Sequence, residues 1–277
     1  MAAQLTAGLP WLARLQAAAV VAPARPRLPL WAGSAEIGSV EAGFLDELAS
    51  QPNGRIDLVL SKEEHLNGRQ GWHVLGDDLT ASLNALAGLM RDAGLAGAWR
   101  NEQLAVHDPQ GQRLGTIERA AVRPLGIPTR AVHLVGQSAD GGMWVQQRAF
   151  DKPNDPGLWD TLMGGMVSSE DTLETALARE TWEEAGLNLA DLQGMHYGGR
   201  LSTARPSTDG DGRGYVREEI DWFRCSVPDA LKPNNQDGEV EQFRLMSTAD
   251  VIERMARGEF TLEAALILAS AMGIDPG

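Results

Sequence analysis

The sequence predicts an α/β protein built in two units, a smaller α+β unit over residues 1–124 and a second α/β unit over 125–277. Three observations predict it. The run Arg123-Pro124-Leu125-Gly126-Ile127-Pro128 carries two prolines that block helix and strand alike, which places the boundary there. On either side of it, apolar residues alternate between strand-like and helix-like spacing. Within the second unit, one well-bounded helix ends in three glutamates and an arginine and sits between strands.

In the first unit, Pro10 to Val21 carries Leu12, Leu15 and Ala19 at helical spacing and leads into the proline-rich, extended APARPRLPL. Ile56 to Leu60 reads as a short strand. Asp77 to Ala93 reads as a helix, with Leu79, Leu83, Leu86 and Met90 on one stripe, an aspartate cap before it and Gly94 after. Gln103 to His107 and Arg113 to Arg119 flank Asp108-Pro109-Gln110-Gly111, whose proline and glycine fit a type I turn, so a hairpin closes this unit.

In the second unit, Arg130 to Val135 and Met143 to Arg148 read as strands, and Trp159 to Met163 leads into the glutamate-bearing helix. Met195 to Thr203 and Tyr215 to Val227 are further strands, separated by PSTDGDGRG, whose polar, glycine-rich composition predicts a mobile loop. Glu239 to Met246 is the last strand. Ser247 with Asp250 starts one helix through Ala256, and Thr261 starts another that ends at Gly273.

Composition narrows the function classes. Lys plus Arg is 24 against 38 for Asp plus Glu, a net charge of −14 with a pI near 4.8, which opposes non-specific attraction to nucleic acid or to an anionic membrane. The single cysteine, Cys225, cannot form an internal disulfide, and the five histidines are too scattered for a zinc site. Both point to a reducing, cytoplasmic setting. LQAAAVVAPA imitates the apolar part of a signal peptide, but Arg14 interrupts the apolar run and no basic segment precedes it. No apolar stretch approaches the ~20 residues of a membrane span.

The chemistry concentrates in Gly164 to Leu187, GGMVSSEDTLETALARETWEEAGL. Taking Leu173 as zero, roughly 100° per residue puts Leu177 near 40°, Glu180 near −20°, Glu184 near 20° and Glu183 near −80°. The apolar face therefore turns acidic at the helix C-terminus, where the macrodipole disfavours carboxylates unless a cation joins them. Glu180, Glu183 and Glu184 can converge on hard divalent ions such as Mg²⁺, and Arg179 lies four residues before Glu183 and can pair with it. Asp171 or Thr172 caps the start, Asp171 and Glu174 have capping-box spacing, and Gly186 suits a left-handed stop.

This segment resembles the Nudix box, the signature of hydrolases that cleave a diphosphate linked to a further moiety, through Gly165, Asp171, Arg179, Glu180, Thr181, Glu183, Glu184, Gly186 and Leu187. Asp171 stands where that box has Glu, and Thr181 where it has an apolar residue. The order of strands and helices is similar to the Nudix α/β/α sandwich, which implies a mixed sheet. WRNEQLAV, IERA, AVHLVG, WVQQR, KPNDPGLWD and DGEVEQF further resemble a two-domain, thiamine pyrophosphokinase-related subgroup with plant and fungal members, some of which act on thiamine diphosphate or its oxidised analogues. A kinase reading lacks support, because no Gly-x-x-x-x-Gly-Lys-Ser/Thr loop occurs.

The resemblance implies a metal-dependent hydrolase of a small organic diphosphate, with Mg²⁺ or Mn²⁺ as cofactor. It implies the Gly165 carbonyl, Glu180 and Glu184 as metal ligands, Glu183 as ligand or base, and Arg179 as the residue that orients Glu183. An acid from outside the box is also expected. Strand alternation leaves Glu218 and Glu219 open; Glu219 is chosen, with Glu239 and Glu241 in reserve. A site this acidic needs cations facing its metals, and Arg130, Arg148 and Lys152 are the candidates for substrate phosphates. Trp144 and Trp159 fit core packing better than ring stacking, and His133 fits a strand histidine better than a ligand. The expected partner is a small-molecule diphosphate, without nucleic acid or membrane, and a homodimer is left open. The alternatives are hydrolysis of nucleotide sugars or other nucleoside diphosphate derivatives, and a non-catalytic Nudix-fold ligand-binding module.

Overall fold

The computed structural model describes residues 10–51, 55–64 and 68–274. The chain runs α1 (Pro10–Ala19), β1 (Arg27–Ala32), β2 (Ala35–Glu41), α2 (Phe44–Ser50), β3 (Leu60–Glu64), β4 (Gln70–Val74), α3 (Leu79–Asp92), β5 (Gln103–His107), β6 (Arg113–Glu118) and α4 (Arg119–Val122). A four-stranded sheet of order β2-β1-β4-β3, with β1 and β4 parallel, packs with α2 and α3 around Leu30, Ile37, Phe44, Leu83, Leu86 and Met90. Helix α3 starts where Asp78 accepts from the Ala81 N–H at 3.0 Å and stops at Gly94, φ 70°.

Two readings of this unit change. The run expected as a strand from Ile56 is a 3₁₀ turn over Ile56–Leu58, and the strand begins only at Leu60, where pairing with Val74 of β4 starts. A short apolar run has no periodicity to separate these outcomes. The stretch read only as extended runs into β1, which forms a hairpin with β2 reversed at Gly33 with φ 56°. The β5–β6 turn forms as expected: Gly111 N–H donates to the Asp108 carbonyl at 3.0 Å, and Asp108 Oδ1 accepts from Gln110 N and Gln112 N.

The second unit continues with β7 (Thr129–Gln137), β8 (Met143–Arg148), β9 (Trp159–Asp160), β10 (Met163–Met166), α5 (Leu173–Ala185), β11 (Gln193–Ser207), the one-turn α6 (Asp209–Gly212), β12 (Gly214–Ser226), β13 (Val240–Met246), α7 (Thr248–Ala256) and α8 (Leu262–Ala271). Its sheet has order β11-β12-β7-β8-β13, with β10 on β7 and β9 on β8, and is mixed because β12 and β7 run parallel. Strand β7 is apolar on both faces, as a strand covered on both sides must be. Ala131 and Val135 pack toward α7 and α8, while Val132 and Leu134 pack toward α5. This is an α/β/α sandwich. Among the described residues no helix is long and apolar enough to cross a membrane.

Two segments sit differently from their sequence reading. Helix α1, assigned with residues 1–124, packs instead on the second unit: Trp11, Leu12 and Ala19 join its α7–α8 core, and Val21 N–H donates to Ala204 O at 2.7 Å. Proximity in sequence did not decide its partner; its apolar stripe is buried against α8, β11 and α7. PSTDGDGRG, expected as a mobile loop, is held in place. Asp209 accepts from Ser207 Oγ at 2.8 Å and from Arg123 at 3.3 Å, and Gly210 turns at φ 63° against Pro124.

Candidate active site

Helix α5 is bounded by a capping box, but not the one expected from Asp171 and Glu174. Thr172 Oγ1 accepts from Thr175 N at 3.2 Å while Thr175 Oγ1 accepts from Thr172 N at 2.8 Å. Asp171 is thereby left to bind Arg179, taking Nε at 3.0 Å and Nη2 at 2.7 Å, with Ser168 Oγ at 2.9 Å. Burial by itself would raise its pKa, yet the hydrogen bonds from Arg179, Ser168 and Thr175 bring it below the usual carboxylate range. Thr181 is fully buried at a position suited to an apolar side chain, and its hydroxyl is satisfied by the Leu177 carbonyl at 2.6 Å. The helix ends at Gly186, φ 62°, whose N–H donates to Trp182 O at 2.8 Å.

Arg179 Nη1 bridges Glu180 Oε1 and Glu183 Oε2, each at 2.9 Å. Glu184 is only 2% exposed and accepts from Gln146 Nε2 at 2.8 Å and Gly164 N at 3.0 Å. Burial, reinforced by the charge of Glu180, pushes Glu184 up to about 8. Burial also pushes Glu180 up to about 7, opposed by Arg179 and reinforced by Glu183 and Glu102. Strand β10 passes this pair closely because it is glycine there: a Cβ on Gly165 would lie 2.1 Å from the Glu180 carboxyl carbon, and one on Gly164 2.5 Å from His133.

Two carboxylates with raised pKa, Glu184 buried and Glu180 part-buried, beside backbone that comes close at Gly165, fit a hard divalent cation, which would stabilise their charged forms. Among the described residues no three acidic, histidine or cysteine groups are already gathered at metal-ligand geometry. Arg179 Nη1 donates to both Glu180 and Glu183, so a cation loaded here competes with its guanidinium for their oxygens.

Gly165, Glu180 and Glu184 open on a cavity of about 360 Å³, with Arg148 and Lys152 in its wall. Lys152 pairs with Glu239, and Arg148 lies 3.5 Å from Asp160 and donates to Asn154 O at 3.1 Å. Asp171, Arg179 and Glu183 lie outside the cavity lining and are tied to it through the bond from Arg179 to Glu180.

Two expected residues lie elsewhere. Arg130 donates to Asp221 at 3.1 Å, on the face of β7 opposite the cavity-lining Ala131 and His133. Glu219, 52% exposed at its side chain, is bound by Arg200 at 3.0 Å, and it is Glu218 that lines the cavity, accepting from Thr129 Oγ1 at 3.0 Å. The parallel register of β12 on β7, Glu218 opposite Thr129, decides this, and alternation alone could not.

Neither tryptophan lines the cavity. Trp159 is buried beneath Arg244 and Arg254, and Trp144 packs beside the α5 core with Lys232 over its ring. His133 lines the cavity while its Nδ1 is hydrogen-bonded to Thr161 Oγ1 at 2.9 Å. Sequence reasoning missed Arg205 with its partner Glu263, and Arg100, Glu102, Arg119 and Arg123 from the first unit. The segments WRNEQLAV and IERA carry three of these, but nothing in their spacing relates them to α5.

The NUDIX domain family matches residues 127–266, half of the chain. Nudix hydrolase 20, chloroplastic, of Arabidopsis thaliana is 28% identical over 188 residues, covering 66% of this chain and 49% of that protein. An isopentenyl-diphosphate Delta-isomerase of Streptomyces avermitilis is 28% identical over 160 residues, 57% of this chain and 77% of that protein. The crystal structure of DR0079 from Deinococcus radiodurans aligns with a TM-score of 0.48 at 21% identity, over 60% of this chain and 97% of that one. The chain spans about half the length of the Arabidopsis relatives it matches. With the box helix, its glycine-bearing strand and the sandwich around them in one domain, the chain belongs to the NUDIX domain family.

Proposed function

We propose that the protein is a divalent-metal-dependent hydrolase of small organic diphosphates. The observation that carries this reading is the pair Glu180 and Glu184, packed against Gly165 and Gly164 at the wall of a cavity that also holds Arg148 and Lys152. Glu180, Glu184 and the Gly165 carbonyl would hold Mg²⁺ or Mn²⁺, with Glu183 as a further ligand or as the base. When bound, such ions neutralise a diphosphate and lower the pKa of the attacking water. Arg179 donates to Glu183 at 2.9 Å and orients its carboxylate. The water oxygen bonds to phosphorus, the P–O anhydride bond breaks, and the water proton passes to a carboxylate. Lys152 and Arg148 take the departing phosphate by exchanging their present carboxylate and carbonyl partners for its oxygens.

Thiamine diphosphate or an oxidised analogue is the finer substrate proposal, supported by the subgroup resemblance of the quoted segments. The buried position of Trp159 and the packing of Trp144 remove the ring-stacking contact that would have added to it. Phosphate release and ³¹P spectra should be followed across thiamine diphosphates, ADP-ribose, nucleotide sugars, isopentenyl diphosphate and dinucleoside polyphosphates. Mg²⁺- or Mn²⁺-dependent cleavage abolished by chelator is expected; no cleavage anywhere in the panel overturns the reading. If a nucleotide substrate exceeds the thiamine compounds tenfold in kcat/KM, about 1.4 kcal/mol of transition-state preference, the thiamine proposal fails and the hydrolase stands.

A further inference from the structure

We propose that Arg100 and Arg119, supplied from outside the NUDIX domain, are specificity-determining residues that bind the phosphate oxygens facing away from Glu180 and Glu184. This rests on the function proposed above. Both arginines line the same cavity as those two glutamates, although residues 127–266 alone match the family.

Their placement is built. Glu118, 1% exposed, accepts the backbone N–H of Arg100 at 2.9 Å and that of Ala120 at 3.4 Å, so one buried carboxylate fixes both cation-bearing segments. The Arg119 N–H donates to the Glu102 carbonyl at 2.8 Å and closes the same corner. A buried acid that accepts from two backbone amides, one in the segment before β5 and one in α4, fixes the geometry of both segments.

The charge pattern assigns the role. Within the cavity Lys152 pairs with Glu239, Arg148 with Asp160, Arg205 with Glu263 and Arg119 with Glu102, the last at 2.7 Å. Among the described residues Arg100 has no ion pair, and it is exposed at the cavity wall. It is the cation ready to meet an anion without first breaking a bond. Arg119, with its side chain 36% exposed, can exchange Glu102 for a phosphate oxygen. A diphosphate with one side on metal ions then has a cationic wall for its other side, which favours polyanionic substrates over singly charged ones.

The test is calorimetric binding of imidodiphosphate, a non-hydrolysable P–N–P compound, to the full chain with saturating Mg²⁺. Arg100→Ala and Arg119→Gln should each weaken Kd by about tenfold, and the double variant by more. Arg257→Ala, which removes the same charge from a surface position beside Glu253, should stay within twofold. Arg119→Gln keeps a hydrogen-bond donor for Glu102, which guards against a fold defect; circular dichroism and Tm report that directly. A Kd within twofold of wild type in both variants overturns the inference, as does failure of the wild type to bind imidodiphosphate. Weakened binding in variants of a wild type that hydrolyses no diphosphate would leave the inference standing and overturn the proposed function. Hydrolysis by the wild type with unchanged affinity in the variants would do the reverse.

Discussion

Gly165 and Glu180 approach so closely that a Cβ on the glycine would lie 2.1 Å from the glutamate's carboxyl carbon. The contact joins strand β10 to helix α5 at the wall of the cavity. Gly165→Ala must therefore displace the Glu180 carboxylate. The obstructed group is the end of a flexible side chain, so the cost falls on function more than on folding. We expect kcat/KM to drop by roughly two orders of magnitude, as small misplacements of catalytic groups do, with Tm lowered by only a few degrees. Unchanged kcat/KM in a folded variant would remove Glu180 from the machinery.

Glu184 and Glu180 give the metal-free protein a defined pH dependence. Both folded pKa values, about 8 and about 7, lie above the ordinary 4.5, so the folded state holds protons that the unfolded state has released. Stability must then fall as pH rises from about 4.5 toward 8, the reverse of a salt-bridged carboxylate. In chelator, Tm should decline between pH 5 and pH 8, and Mg²⁺ should restore it mainly at the upper end. Glu184→Gln should flatten the decline, since the amide keeps an acceptor for Gly164 N and carries no charge, while lowering kcat at least a hundredfold. A Tm that rises over this range in wild type and variant alike contradicts the burial of these carboxylates.

Glu218 and Glu219 make a direct comparison. Glu218 lines the cavity and Glu219 is bound by Arg200 on the other face. Glu218→Gln should lower kcat/KM about tenfold or more, and Glu219→Gln should leave it within twofold. Steady-state kinetics on the preferred diphosphate decides between them, and the opposite ranking would return the outside acid to Glu219.

Helix α1 covers the second unit's core through Trp11 and Leu12. Deleting residues 1–21 should lower Tm by more than roughly 5 °C, because two large apolar side chains leave the core. A fragment of residues 125–277 should be destabilised for the same reason, while residues 10–21 added as a peptide should raise its Tm. Equal Tm with and without the first 21 residues would mean the helix is not part of that core.

By itself the sequence determined the elements whose signals are local. Asp78 and Thr261 as caps, Gly94 and Gly186 as stops, the Asp108–Gly111 turn and the glutamate stripe of α5 all depend on residues within one or two turns of each other. Tertiary structure decided what depends on register and on which surfaces meet. The pairing of Glu218 with Thr129 selected the cavity-facing acid, and the apolar face left by α7 and α8 recruited α1 across the expected boundary. Arg130 was drawn to the buried Asp221, and Arg100 and Arg119 were brought to Glu180 by the docking of one unit on the other. Caps and periodicity are set by backbone geometry along the chain, whereas a binding site is set by distances across it. Only the packed sheet and its helices fix those distances.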